Sequence, residues 1–321
     1  MNIGFIGLGN AGGNLAGSIL RNGFNLTVLD LNDSLVDDFL NRGAISAASP
    51  KQMAENCDVV ITCLPSPKAC SEVMESLDGV LEGLSKGKIW LEMSTTDEAE
   101  IRRIGSKVEA IGALPIDCPV SGGCHRADTG NISIFAGCKR EAFDKVLPIL
   151  TTMGRRVLHT GELGTASTLK VMTNYLATVN LASISEALTT MKKLGMDMNV
   201  TYEAIKASSG TSFVHETESQ VILNGSRDIS FTMDLVSKDI GLFNELALRE
   251  GLNLEIAPLL VEIFKDGEKR YGSRELSPNI IKRLEERANV SVLGNGFPTE
   301  MVDDEPEEKG YEVEIKGRED Y

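Results

Sequence analysis

A chain of 321 residues has room for about two domains, and with 42% hydrophobic and 25% charged residues it can bury a sizeable core. Its 47 acidic side chains against 32 basic ones give a formal charge of −15, which repels phosphate backbones and anionic lipid, so no nucleic-acid or membrane partner is expected. Six cysteines, never at C-x-x-C spacing, and only three histidines form no zinc-ligand set; they read as reduced thiols, and no metal is expected. The opening Met1-Asn2-Ile3-Gly4-Phe5-Ile6 has no basic or long apolar leader, and no apolar run reaches the roughly 20 residues of a membrane span. A soluble, cytoplasmic protein is expected.

Up to about residue 160, short apolar runs alternate with amphipathic stretches, the βαβα pattern of a parallel sheet covered on both faces. The strand-like runs are 3–6, 26–30, 58–64, 88–93, 114–117, 132–136 and 156–159. From Gly164 the pattern changes. Residues 165–193 contain no proline or glycine, with Leu169, Met172, Leu176, Val179 and Ile184 near helical spacing, until Gly195. Such a helix would be about 45 Å long, enough to run from one domain into the next. Further helices are predicted at about 200–207, 215–223, 233–249, 256–271 and 278–288. The expected architecture is an α/β Rossmann domain with a doubly wound, mostly parallel sheet over residues 1–163. An all-α domain over 164–292 follows, joined through a long interdomain helix, and then an acidic extension over 293–321. Residues 300–321 hold ten acidic and three basic side chains, so much of the net charge belongs to this tail. Its last twelve residues alternate Tyr311, Val313 and Ile315 with charges, a pattern open to an added strand or a disordered end.

Gly7-Leu8-Gly9-Asn10-Ala11-Gly12 directly follows a strand and opens a helix. Gly7 permits the tight turn, Gly9 lets the backbone approach a pyrophosphate, and Gly12 lets helix pack on strand. The helix N-terminus is then left to hold the anion. Asp30, at the end of the second strand, can accept from ribose hydroxyls and repel a 2′-phosphate, with no arginine at Leu31 or Asn32, which predicts NAD over NADP.

With these features in place, the sequence resembles the β-hydroxyacid dehydrogenase family, the group of 3-hydroxyisobutyrate dehydrogenase, tartronate semialdehyde reductase and the glyoxylate/succinic semialdehyde reductases. Four matches carry the resemblance. Phe5-Ile6-Gly7-Leu8-Gly9 resembles the family's start, although Ala11 stands where the family has Met. Asp117-Cys118-Pro119-Val120-Ser121-Gly122-Gly123, with Ala127 and Gly130, is similar to its substrate loop. Gly161, Gly164, Lys170 and Asn174 match the spacing of its catalytic helix, and Phe231 with Lys238-Asp239 the helix that closes over the cofactor.

The resemblance implies Lys170 and Asn174 as catalytic residues, four apart on one helix face. It implies Ser121, Gly122, Gly123, Phe231 and Asp239 at the substrate, and Leu64, Pro65, Thr95 and Lys238 along the cofactor. Each has its own physical reading. Two glycines after Ser121 can turn successive N–H groups inward around a carboxylate, and Arg126 could add a charge-assisted contact or lie solvated on the surface. A lysine shielded from water, or beside another cation such as Lys238, can take the proton of a substrate alcohol as hydride leaves, and return it in reduction. The expected function is NAD-dependent interconversion of a small anionic 3-hydroxy acid and its semialdehyde, by a homodimer or homotetramer with its active site in the interdomain cleft. An imine reductase of the same fold is the enzymatic rival, against which Lys170 argues; a non-catalytic dinucleotide-binding protein is the other. Tyr202-x-x-x-Lys206 mimics the short-chain dehydrogenase pair but falls in a predicted surface helix, and His159 and His215-Glu216 sit on no motif.

Overall fold

In the computed structural model, which describes residues 1–318, the chain divides into two compact units. One comprises Met1–Lys170 together with the described residues from Glu305; the other is Val171–Asp304.

The first unit is built on one sheet. Its strands are β1 (Asn2–Ile6), β2 (Asn25–Leu29), β3 (Ile45–Ser46), β4 (Val59–Thr62), β5 (Ile89–Glu92), β6 (Leu114–Asp117), β7 (Val120–Ser121), β8 (Ile132–Gly137), β9 (Gly154–Gly161) and β10 (Tyr311–Glu312). Their order is β10-β9-β8-β6-β5-β4-β1-β2-β3, with β7 paired to β8 off this path. All pairings are parallel except β6–β8 and β7–β8. Side chains alternate across the sheet, so consecutive residues feed two different cores. Ile3, Phe5, Val59, Ile61 and Leu91 pack on one face with Leu15 and Ile19 of the helix Asn10–Arg21 and Phe143 of the helix Arg140–Met153. Ile6, Val60 and Trp90 pack on the other with Met53, Met74 and Ile104 from three further helices. Because both faces are covered, the strands read as continuous apolar runs. The chain moves outward from β1 in both directions, to β2 and to β4, so the order reverses beside the loop that follows β1.

The second unit is helical. The helix Thr165–Lys193 leads into it, and Met198–Lys206, Phe213–Asn224, Met233–Arg249, Ile256–Tyr271 and Lys282–Ala288 follow. Leu181, Leu188, Val236, Ile240, Phe264 and Ile281 form its core. A single bridge joins Thr232 to Leu276, and the stretch predicted as one helix over 278–288 begins as a 3-10 turn, Ser277–Ile281, with Pro278 in its first turn. None of the described helices is long and apolar enough to cross a membrane.

The tail is ordered against the sheet. β10 adds in parallel to the β9 edge, Gly310 N–H donates to Thr151 O at 3.0 Å, and Val313 N–H to Val157 O at 2.8 Å. Two short strands, β3 and β7, had no counterpart among the apolar runs.

Candidate active site

β1 runs into Gly7, whose backbone is left-handed (φ +97°) and whose Cβ, were there one, would stand 2.2 Å from the Cys63 carbonyl oxygen. A Cβ on Gly12 would stand 2.0 Å from the Gly7 carbonyl oxygen, so helix and loop touch backbone to backbone. Around Gly9 the space is open. Gly9 caps the helix Asn10–Arg21 without a side chain, and no acid lies in its first turn, which leaves an electropositive helix end for an anion. Gly9 and Asn10 are exposed and Ala11 half-buried beside them, while Leu8 is buried. Asp30 closes the loop from the β2 side: Leu8 N–H donates to its Oδ2 at 2.6 Å and Asn32 N–H to its Oδ1 at 2.8 Å. Asn32, not Asp30, caps the following helix. These residues fit a dinucleotide.

Beside this loop, Leu64 N–H donates to Ser94 Oγ at 2.7 Å, bringing the ends of β4 and β5 together, with Pro65 exposed and Thr95 half-buried. Beneath them Glu92 is fully buried and accepts from Thr62 Oγ1, Cys70 Sγ and Ser94 N–H, each at 2.7 Å. Burial pushes the Glu92 carboxyl and the Cys70 thiol upward, so both hold their protons more firmly than in water.

β6 ends in Asp117, which is buried and accepts from Ser167 twice, from its N–H and its Oγ, both at 2.7 Å. Ser167 lies in the first turn of the helix Thr165–Lys193, so one carboxylate joins the segment Asp117–Gly123 to the start of that helix. Burial raises Asp117 from the ordinary 3.8 to about 6. Lys170 follows one position short of a helical turn later and is 8% exposed. Ser121 pairs with Ser133 across β7–β8; Gly122 (φ +132°) and Gly123 (φ +91°) then turn the backbone into the short helix Cys124–Thr129. Asn14, on the glycine-loop helix, donates through Nδ2 to the Cys124 carbonyl at 2.9 Å and so links the two loops.

In the helical unit, Asn174 donates through Nδ2 to Asp239 Oδ2 at 2.5 Å, and Lys238 Nζ lies 3.1 Å from Asp239 Oδ1. Asp239 is 2% exposed. Phe231 is half-buried just before the helix Met233–Arg249, its carbonyl accepting from Ser277 N–H at 2.9 Å.

Residues 2–161 match a family model described as the NAD binding domain of 6-phosphogluconate dehydrogenase, and residues 164–284 one described as NAD-binding of NADP-dependent 3-hydroxyisobutyrate dehydrogenase. The chain is 31% identical to 2-(hydroxymethyl)glutarate dehydrogenase of Eubacterium barkeri, over 91% of this chain and 97% of that one. It belongs to the β-hydroxyacid dehydrogenase family. It is also 32% identical to an NAD-dependent L-serine dehydrogenase of Pseudomonas aeruginosa, over 88% of this chain and 97% of that one. A crystal structure of 3-hydroxyisobutyrate dehydrogenase from Salmonella typhimurium superposes with a TM-score of 0.81 at 26% identity, covering 88% of this chain and 99% of that one. The protein is thus a hydroxyacid dehydrogenase that takes a nicotinamide dinucleotide.

Within this β-hydroxyacid dehydrogenase, the nucleotide unit gathers the glycine loop, Asp30, Leu64 and Ser94 at one sheet edge, and ties Ser121-Gly122-Gly123 to them through Asn14. The helical unit gathers Asn174, Lys238 and Asp239. Other motifs serve the cores. Tyr202 is buried, not on the surface, with its hydroxyl donating to Glu216 O at 3.1 Å, and burial raises its pKa, which disfavours a tyrosinate. His159 Nε2 lies 2.8 Å from Cys138 O, and His215 Nε2 lies 3.0 Å from Tyr202 O, both rings buried. Arg126 is half-buried and not a free surface charge: it pairs with Glu305 at 3.4 Å. Asn14, Glu92 and Ser167 were not singled out in the sequence, whereas Ser94-Thr95 reads there as a strand end at the ligand-binding edge of the sheet. Ser167 adjoins the start of a long helix, a weak local signal; Asn14 and Glu92 carry none.

Proposed function

We propose that the protein interconverts a small 3-hydroxy acid and its semialdehyde with NAD, with Lys170 as the proton donor and acceptor. The observation that carries this reading is the Asp117–Ser167 junction: one buried carboxylate joins the glycine-turned anion loop to the helix start that mounts Lys170. The relatives named for L-serine and for 2-(hydroxymethyl)glutarate support the substrate class. Both named compounds carry an alcohol on the carbon β to a carboxylate.

In oxidation, the Ser121 hydroxyl and the N–H groups of Gly122 and Gly123 hold the substrate carboxylate. Lys170 Nζ takes the hydroxyl proton as the carbon gives up hydride, and returns it to the aldehyde oxygen in reduction. A bound nicotinamide supplies the hydride acceptor or donor. Asn174, its amide fixed by Asp239, steadies the substrate oxygen; Phe231 supplies an apolar wall, and Lys238 a positive charge toward the dinucleotide. Asp30 favours NAD, because a carboxylate there disfavours a 2′-phosphate, while Leu31 is fully exposed and Asn32 is engaged as a helix cap. Leu169 and Leu176, two turns apart on the long helix and 38% and 50% exposed, support a homodimer or homotetramer, which a light-scattering mass would test.

The decisive experiment is Lys170→Ala against a panel of 3-hydroxy acids, followed at the reduced-nicotinamide absorbance. We expect kcat to fall by roughly 10²–10⁴-fold with the cofactor Kd unchanged. A variant with full rate would refute the assignment, and wild-type preference for NADP would overturn the role of Asp30.

A further inference from the structure

Beyond residue 284, where the family match ends, the acidic tail meets arginines of the nucleotide unit through Glu305, Glu307, Glu308 and Glu312. Glu308 pairs with Arg155, and Glu312 takes Arg140 in a two-pronged bond of 2.6 and 2.9 Å. Gly310 fixes the tail's depth, since a Cβ there would stand 1.9 Å from the Gly154 carbonyl oxygen. These contacts, with β10, hold the tail on the β9 edge downstream of Glu305.

Glu305 does something different. Its carboxylate binds Arg156 through both guanidinium nitrogens and lies 3.4 Å from Nη1 of Arg126. Its carbonyl accepts from Asn131 Nδ2 at 2.9 Å, and Asn131 N–H in turn donates to the Arg126 carbonyl at 2.8 Å. Arg126 is therefore gripped at its head and at its backbone. Its stem lies beside Gly122: a Cβ built there would find Arg126 Cδ at 3.4 Å and Cβ at 3.9 Å. The short helix carrying Arg126 has six residues and no side-chain cap, so it cannot hold the loop before it unaided.

We propose that Glu305 is a positioning residue for the substrate loop: through Arg126 and Asn131 the C-terminal extension fixes the Ser121-Gly122-Gly123 turn in its anion-binding shape. The proposal rests on the assignment of that turn to the substrate. The opposite possibility, that Glu305 competes with the substrate carboxylate for Arg126, predicts the opposite sign in the same experiment.

Glu305→Gln, Glu305→Asp, Gly310→Ala and, as control, Glu308→Gln are compared with wild type in the full-length protein by steady-state kinetics and hydrogen–deuterium exchange. For Glu305→Gln, KM for the hydroxy acid should rise roughly tenfold, within the about 100-fold that small misplacements cost, with kcat and cofactor Kd held within about twofold. Exchange should quicken over residues 121–130 by more than over 154–161, where β10 and the Glu308 and Glu312 pairs still dock the tail. Glu305→Asp should recover part of the loss, Gly310→Ala should reproduce it and loosen 154–161 as well, and Glu308→Gln should leave KM and loop exchange alone. Unchanged KM and exchange in Glu305→Gln, or a lowered KM, overturns the proposal. If wild type turns over no 3-hydroxy acid, the functional reading fails, while the exchange data still judge the positioning role.

Discussion

The loop after β1 and the loop after β7 both turn through left-handed glycines into a helix, yet they are held by different means. The first is jammed into the core: Gly7 and Gly12 lie where any side chain would enter backbone atoms at 2.2 and 2.0 Å. At Gly122 the nearest atom to an added Cβ is a flexible arginine methylene at 3.4 Å, so its glycine answers to conformation and not to space. The first loop is thus rigid by packing. The second takes its shape from a few polar tethers: Asp117 before it, and Asn14 and Glu305 behind it. On the assignments proposed above, a dinucleotide phosphate tolerates a fixed cradle, whereas a loop proposed to hold the substrate and mounted on replaceable tethers can be retuned without disturbing the fold.

The largest effect expected from this contrast is at Gly12. Gly12→Ala drives a methyl into the Gly7 carbonyl, and neither backbone can retreat, so stability should fall by about 3 kcal/mol and dinucleotide binding should be lost. Gly9→Ala, with nothing within 4 Å of the new methyl, should stay within about 0.5 kcal/mol of wild type while binding dinucleotide more weakly. Urea unfolding and fluorescence titration separate the two; tight binding by Gly9→Ala would mean that the phosphate does not approach there.

The buried tether Asp117 comes next. Its folded-state value of about 6 lies above the ordinary 3.8, so between these values the folded protein keeps a proton that the unfolded chain has released. Stability contributed by the protonated carboxyl is complete below about pH 4 and is lost as pH rises through about 6, a change of about 3 kcal/mol. Asp117→Asn should lack this slope. The difference between the two proteins in urea unfolding from pH 4 to 7 isolates Asp117, since Glu92 is buried alike in both; a flat difference would contradict the burial argument.

The same contrast governs what could be read from sequence. The glycine loop and Asp30 were legible because strand, turn and acid fall within 30 residues and each spacing has a local physical reason. The helix Thr165–Lys193 was legible to its ends, since its interior lacks glycine and proline and Gly195 closes it. β3 and β7 have two residues each, too few for a period, and exist only through pairing. Asn14 and Cys124 are 110 residues apart, and Asp117 and Ser167 are 50 apart; no spacing rule joins such pairs. The end of the tail stayed open between an added strand and a disordered end, because composition does not reveal that Glu305, Glu308 and Glu312 each face an arginine.

The smallest effect should come from Asn14, the tether shared by the two loops. Asn14→Ala removes one hydrogen bond to the half-buried Cys124 carbonyl, which water can then reach, so the cost should be about 1 kcal/mol or less. Its value lies in combination with Glu305→Gln. Both side chains restrain the helix Cys124–Thr129, one at its first residue and one at its third, so removing both should lower the protection of residues 121–130 by more than the two single losses added, with a coupling of at least about 0.5 kcal/mol. Simple additivity in that double-variant cycle would mean that the two tethers act on separate parts of the loop and that the helix between them is rigid by itself.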